Sequence, residues 1–157
     1  MAPRVQPREV ARLLAEEMHR ACLGTRVGRL HRQVARRFET ALRPLGLTLS
    51  QMEVLAALTV VGGPVKPAFI AGRLAVERST MSRNLTLMEA KGLVTTTDTS
   101  ATGRSLAVSI TDHGTETLAR ATDAWTAAQS AVIDLLGPEA PSLLDTWLAD
   151  LTPMSRS

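Results

Sequence analysis

A chain of 157 residues that is 45% apolar, 21% charged and 3% aromatic is long enough for one domain and too apolar to be disordered. No apolar run approaches the ~20 residues that span a bilayer, the first eight residues are polar, and the single cysteine, Cys22, excludes a disulfide framework or a Cys-based zinc site, so a soluble cytoplasmic protein is expected. The net charge of +3 hides an asymmetry, because residues 1–110 hold 16 Lys/Arg against 8 Asp/Glu while residues 111–157 hold 2 against 7, as if only one end faces a polyanion.

Pro7 suits the first turn of a helix, behind which Val10, Leu14, Met18 and Cys22 recur at i+4. A break is expected near Gly24. Val27, Leu30, Val34, Phe38, Leu42 and Leu45 then share one face of a second helix that Pro44 and Gly46 end, with Arg26, Arg29, Arg32, Arg36 and Arg37 largely off that face. Thr48 to Gln51 has capping-box spacing and opens a third helix carrying Met52, Leu55, Ala56 and Leu58, which Gly62-Gly63-Pro64 stops. A short helix from Pro67 to Leu74 and a longer one from Arg78 to Lys91 follow, with Gly92 as the residue just past the second. The period then changes. Residues 93–97 and 106–110 are β-branched runs joined by a Ser/Thr/Gly-rich loop, which is the pattern of a hairpin. Thr111 caps a long helix over 112–136, Gly137-Pro138 ends it, and a last helix over 141–151 carries Leu143, Leu144, Trp147, Leu148 and Leu151.

A helix–turn–helix followed at once by a hairpin is the plan of a winged helix. The expected fold class is mainly α with a small β-hairpin wing (α+β). Residues 1–45 supply N-terminal dimerisation helices, 46–111 the winged helix-turn-helix and 112–157 C-terminal dimerisation helices, within one compact domain overall. The helices at both chain ends are apolar enough to need a partner, and a two-fold dimer covers them most economically.

On the 78–91 helix, Met81, Leu85 and Met88 point inward, and the opposite face carries Ser79, Ser82, Arg83, Thr86 and Ala90 with Thr80 at its edge. Short hydroxyls allow close approach to a groove, and Arg83 reaches a phosphate or the guanine acceptors. A solvated helix face with one Arg would look the same, and the preceding turn and following hairpin are what favour DNA. Arg104 in the hairpin loop is placed to enter a minor groove. Lys66, Arg73 and Arg78 add sequence-independent phosphate contacts.

Residues 46–51 (Gly-Leu-Thr-Leu-Ser-Gln), 70–83 (from Ile70 to Arg83) and 87–94 (from Leu87 to Val94) resemble the MarR family of bacterial regulators. Residues 109–114, from Ser109 to Gly114, are similar to the family's segment linking wing and dimerisation helix. The likeness spans about 26–136, in order and with short gaps. It implies a homodimeric winged helix regulator, usually a repressor, that binds a pseudo-palindromic double-stranded DNA operator and is often relieved by a small-molecule effector. By position, Ser79, Thr80, Ser82 and Arg83 fall on the family's recognition helix and Arg104 on its wing-tip Arg. Two positions depart from the pattern. Thr102 stands where the family commonly has an Asp that orients the wing loop. Glu77 stands where Asp often caps the recognition helix, and Glu is the poorer cap. An interaction module that binds protein without reading DNA is the alternative, with the altered wing as its support.

Some members of the family sense oxidants through an N-terminal cysteine, and Arg26 and His19 are spaced to assist Cys22. Against that, Cys22 continues an apolar stripe, where cysteine packs as a small hydrophobe. The three histidines, His19, His31 and His113, are not paired at helical spacing, so no metal is expected and no cofactor. No phosphate loop, His–Glu metal motif or nucleophile set is present, and no enzyme is expected.

Overall fold

In the computed structural model, residues 6–98 and 106–152 are described. Their order is α1 (Pro7–Ala21), α2 (Leu23–Leu42), a 3-10 turn (Arg43–Leu45), α3 (Leu49–Val61), α4 (Pro67–Arg73) and α5 (Arg78–Ala90), then β1 (Val94–Asp98), β2 (Leu106–Ile110), α6 (Asp112–Arg120), α7 (Thr122–Leu136) and α8 (Ala140–Leu151). The chain forms two units, residues 1–36 and residues 37–157. Among the described residues no single helix is long and apolar enough to cross a membrane.

In the first unit, Pro7 opens α1 as its composition predicts, and Arg12–Glu16 and Arg20–Glu17 pair along its surface. Such exposed pairs contribute only about 0.2–0.5 kcal/mol each. No residue of α1 is buried, so the stripe of Val10, Leu14 and Met18 lies exposed. The helix breaks at Cys22 rather than at Gly24. Cys22 is extended (φ −62°, ψ 113°), and its carbonyl accepts from the Arg26 N–H at 3.2 Å. Gly24 therefore sits inside the first turn of α2.

The second unit holds the core. Thr48 and Gln51 form the expected capping box: the Gln51 N–H donates to Thr48 Oγ1 at 3.1 Å, and the Thr48 N–H to Gln51 Oε1 at 3.4 Å. The helix so begun, α3, packs against α4, α5, α6 and β2. Contact on several sides explains why a single stripe does not describe it. Val54, Leu55, Ala57 and Leu58 are buried, whereas Ala56 is exposed and Met52 half-buried.

Past α5 the chain makes a Schellman turn. Gly92 adopts φ +68°, its N–H donates to the Glu89 carbonyl at 2.8 Å, and the Leu93 N–H reaches the Met88 carbonyl at 2.9 Å. Leu93 is committed to that turn, so β1 starts at Val94. The strands pair antiparallel with Val94 opposite Ile110 and Asp98 opposite Leu106. Val65 adds a bridge on the outer edge of β2, exchanging both backbone hydrogen bonds with Val108 (3.0 and 2.8 Å).

Thr111 caps α6 as expected, its hydroxyl accepting from the Gly114 N–H at 2.9 Å. The expected long helix is interrupted at Ala121, whose N–H is shared between the Thr117 and Leu118 carbonyls (3.2 and 3.1 Å). The Thr117 and Thr122 hydroxyls bond back to the His113 and Ala119 carbonyls at 2.7 and 2.8 Å. Threonines that compete in this way for backbone acceptors tighten a helical turn.

Candidate nucleic-acid interface

The candidate recognition face is built from the inside out. Met81, Leu85 and Met88 anchor α5 in the core, each burial contributing about 1.5–3 kcal/mol. Two polar ties fix its direction. The Lys91 ammonium donates to the Gly46 carbonyl (2.8 Å) and to Gln51 Oε1 (3.1 Å), and Asn84 Nδ2 donates to Ser50 Oγ at 2.9 Å. Both join α5 to the beginning of α3. The turn ahead of α5 passes through Ala75 at φ +51°, a left-handed conformation unusual for a residue with a Cβ.

Held this way, Ser79, Thr80, Ser82, Arg83 and Thr86 are all exposed on α5. The Thr86 hydroxyl donates to the Ser82 carbonyl at 3.1 Å, which leaves its oxygen free to accept. Lys66 at the start of α4, Arg73 at its end and Arg78 at the start of α5 are also exposed. Glu77 precedes α5 with no side-chain cap, in keeping with the weak capping expected of glutamate there. Arg104 and Thr102 lie outside the described residues.

Sequence reasoning missed what joins α5 to the hairpin. The Glu89 carboxylate accepts from the Thr96 hydroxyl at 2.5 Å and from the Thr96 N–H at 2.9 Å. These donors, the hydroxyl first, hold the Glu89 carboxyl below its ordinary range. The depressed value means the pairing is present at neutral pH and is lost as acid protonates the carboxylate.

The structure also leaves a recess of about 240 Å³ lined by Leu58, Thr59, Gly62, Gly63, Ser109, Ile110 and Thr115, where the end of α3 meets β2 and α6. Nothing in the sequence marks it, because it depends on three elements meeting. Among the described residues no group of three His, Cys, Asp or Glu side chains is placed to hold a metal.

A sequence profile described as the MarR family matches residues 45–105. The M. tuberculosis transcriptional regulator MosR is 30% identical, over 83% of this chain and 93% of its own, and superposes with a TM-score of 0.72. The chain belongs to the MarR family of transcriptional regulators. Two further regulators are similar. The repressor CouR, solved on a 23-mer DNA duplex, is 28% identical over 85% of this chain and 94% of its own, with a TM-score of 0.72. The MarR-family regulator AbsC from Streptomyces coelicolor is 29% identical over 81% and 87%, with a TM-score of 0.67. No curated protein matches the chain in sequence. The helix–turn–helix and hairpin of this MarR-family chain are thus a winged helix, and its work is regulation of transcription rather than catalysis.

Proposed function

We propose that this regulator is a homodimeric, ligand-responsive repressor that binds a pseudo-palindromic operator. The observation that carries the reading is the α5 face of Ser79, Thr80, Ser82, Arg83 and Thr86. All five residues are exposed, and the helix that carries them is anchored by the buried Met81, Leu85 and Met88. Capture of the duplex by Lys66, Arg73 and Arg78 precedes base readout by α5, with the wing and Arg104 gripping the flanking minor groove. Two such helices from a dimer enter successive major grooves.

Dimerisation is supported by apolar surface that each unit leaves open: Val10, Leu14 and Leu23 in the first, Leu144, Trp147 and Leu148 in the second. An effector acts by favouring a dimer whose recognition helices are wrongly spaced. The 240 Å³ recess beside β2 and α6 is a candidate for its site. CouR of Rhodococcus jostii was solved with p-coumaroyl-CoA, and MosR was solved with DNA, which supports both partner classes here.

Binding to the intergenic DNA beside the gene, measured across a salt series with unrelated competitor, tests the reading. Tight binding that survives competitor and weakens steeply with salt is expected. Affinity no greater than for competitor, there and among genome-wide selected fragments, favours an interaction module instead.

An oxidant-sensing variant of this function is favoured by the setting of Cys22. Its thiol stands at the head of the 20-residue helix α2 and accepts from the Thr25 hydroxyl, the Thr25 N–H and the Gly24 N–H, which holds it below the ordinary thiol range. Thiolate is therefore populated at lower pH than in a free thiol. The rate of alkylation by iodoacetamide is expected to reach half its maximum at a lower pH than in the unfolded chain, and coincident profiles would refute it. Cys22→Ser should lose any response to peroxide or quinone while still binding DNA.

A further inference from the structure

Thr96 lies opposite Val108 in the hairpin, and Val108 directs both its backbone groups away from β1, to Val65. Thr96 therefore belongs to a non-hydrogen-bonded pair, and its own N–H points outward from the hairpin. An outward N–H on an edge strand ordinarily goes to water or to a neighbouring chain. Here it meets Glu89, which sits one helical row beyond Ser82 and Thr86 on the flank of α5. One carboxylate oxygen, Oε1, takes both the amide and the hydroxyl of Thr96. Charge-assisted bonds of this kind to two donors of one residue fix direction as well as distance.

We propose that Glu89 is a positioning residue for DNA reading: it locks β1 of the wing to the recognition helix, so that the two are presented to the operator at one set angle. The proposal rests on the operator-binding reading above. The chain itself joins α5 to the hairpin through the turn at Gly92 and Leu93, at the inner end of β1, and the Glu89 bonds add a second tie at the middle of the strand. A phosphate contact is not the role of Glu89, since a carboxylate repels phosphate.

The test pairs two measurements on Glu89→Ala, Glu89→Gln and Thr96→Val. Residue-resolved amide exchange in the free protein reports the lock alone, and hydroxyl-radical footprinting of the bound operator reports the angle. With Glu89→Ala, the Thr96 amide should exchange at least about tenfold faster. Operator affinity should fall roughly tenfold, because the two untied wings of the proposed dimer must then be ordered on binding. Flanking protection should disappear while the central protection from α5 remains. Glu89→Gln, whose carbonyl oxygen still accepts, should restore part of both, and Thr96→Val, which keeps the N–H, should fall between. Unchanged exchange and footprint overturn the proposal, as does uniform weakening of the whole footprint, which marks general destabilisation. A wild-type protein that protects no DNA overturns the operator reading and with it the role of Glu89, whatever the exchange rates show.

Discussion

Gly114→Ala is expected to destabilise the protein by about 3 kcal/mol, the upper range for forcing an extra methyl into a packed site. A Cβ at this position would lie 2.1 Å from the Leu93 carbonyl oxygen and 2.9 Å from Ile110 Cγ1. The first neighbour is backbone, fixed by the Schellman turn after α5, and has no rotamer through which to yield. That carbonyl also accepts from the Thr111 N–H at 3.1 Å and the Thr111 hydroxyl at 3.1 Å, while Gly114 itself donates the capping bond to Thr111. Displacing α6 would therefore break its own cap and pull on the end of α5. The ~1 kcal/mol that alanine gains over glycine in helix propensity is too small to compensate. In a chain of this size the melting temperature should drop by roughly 10 °C, read by circular dichroism. A melting curve that coincides with the wild type would show that Leu93 and α6 separate freely and that the junction is not tight.

Arg83→Ala should have the opposite profile, with stability unchanged and operator affinity lost. Arg83 is exposed on α5 and touches nothing in the core, so its removal costs the fold nothing measurable. In the proposed dimer the residue would act twice. A bidentate guanine contact discriminates by about 1–3 kcal/mol, so two copies lower affinity by at least about thirtyfold. The form of the loss identifies the contact. If Arg83 reads a base, preference relaxes at one operator position in each half-site. If it holds a phosphate, all sequences weaken alike and the salt dependence becomes shallower by about one unit per contact. Unaltered affinity in a competitor-controlled titration would remove α5 from the reading role altogether.

Much of the architecture was legible because it is encoded in local chemistry. Thr48 and Gln51 supply their own capping box, Gly92 its own left-handed turn, Pro67 its own helix start, and the β-branched runs around 94–97 and 106–110 their own pairing. The exposed face of α5 followed from helical spacing alone. What was not legible depends on side chains acting outside their usual roles. Cys22 serves as the N-terminal cap of α2, a task propensity assigns to Ser or Asp, so the break seemed to belong to Gly24. The interruption at Ala121 coincides with two threonine hydroxyls turned onto the backbone, which an apolar period cannot reveal. The ties that orient the interface, Lys91 to Gly46, Asn84 to Ser50 and Glu89 to Thr96, span 45, 34 and 7 residues. Only the packed tertiary register brings the first two together, and only the hairpin turning back toward α5 brings the third.

The separation of duties along α5 has a consequence for descent. Its buried anchors are Met81, Leu85 and Met88, and the reading surface proposed above is Ser79, Thr80, Ser82, Arg83 and Thr86, with no residue in both sets. Drift across the reading surface is therefore nearly neutral for folding. A duplicated copy of this gene could exchange one target sequence for another through single substitutions, each passing through a fully folded intermediate. The helix behaves as an interchangeable type-slug seated in a fixed press, and the frame that holds it need not evolve for the text to change.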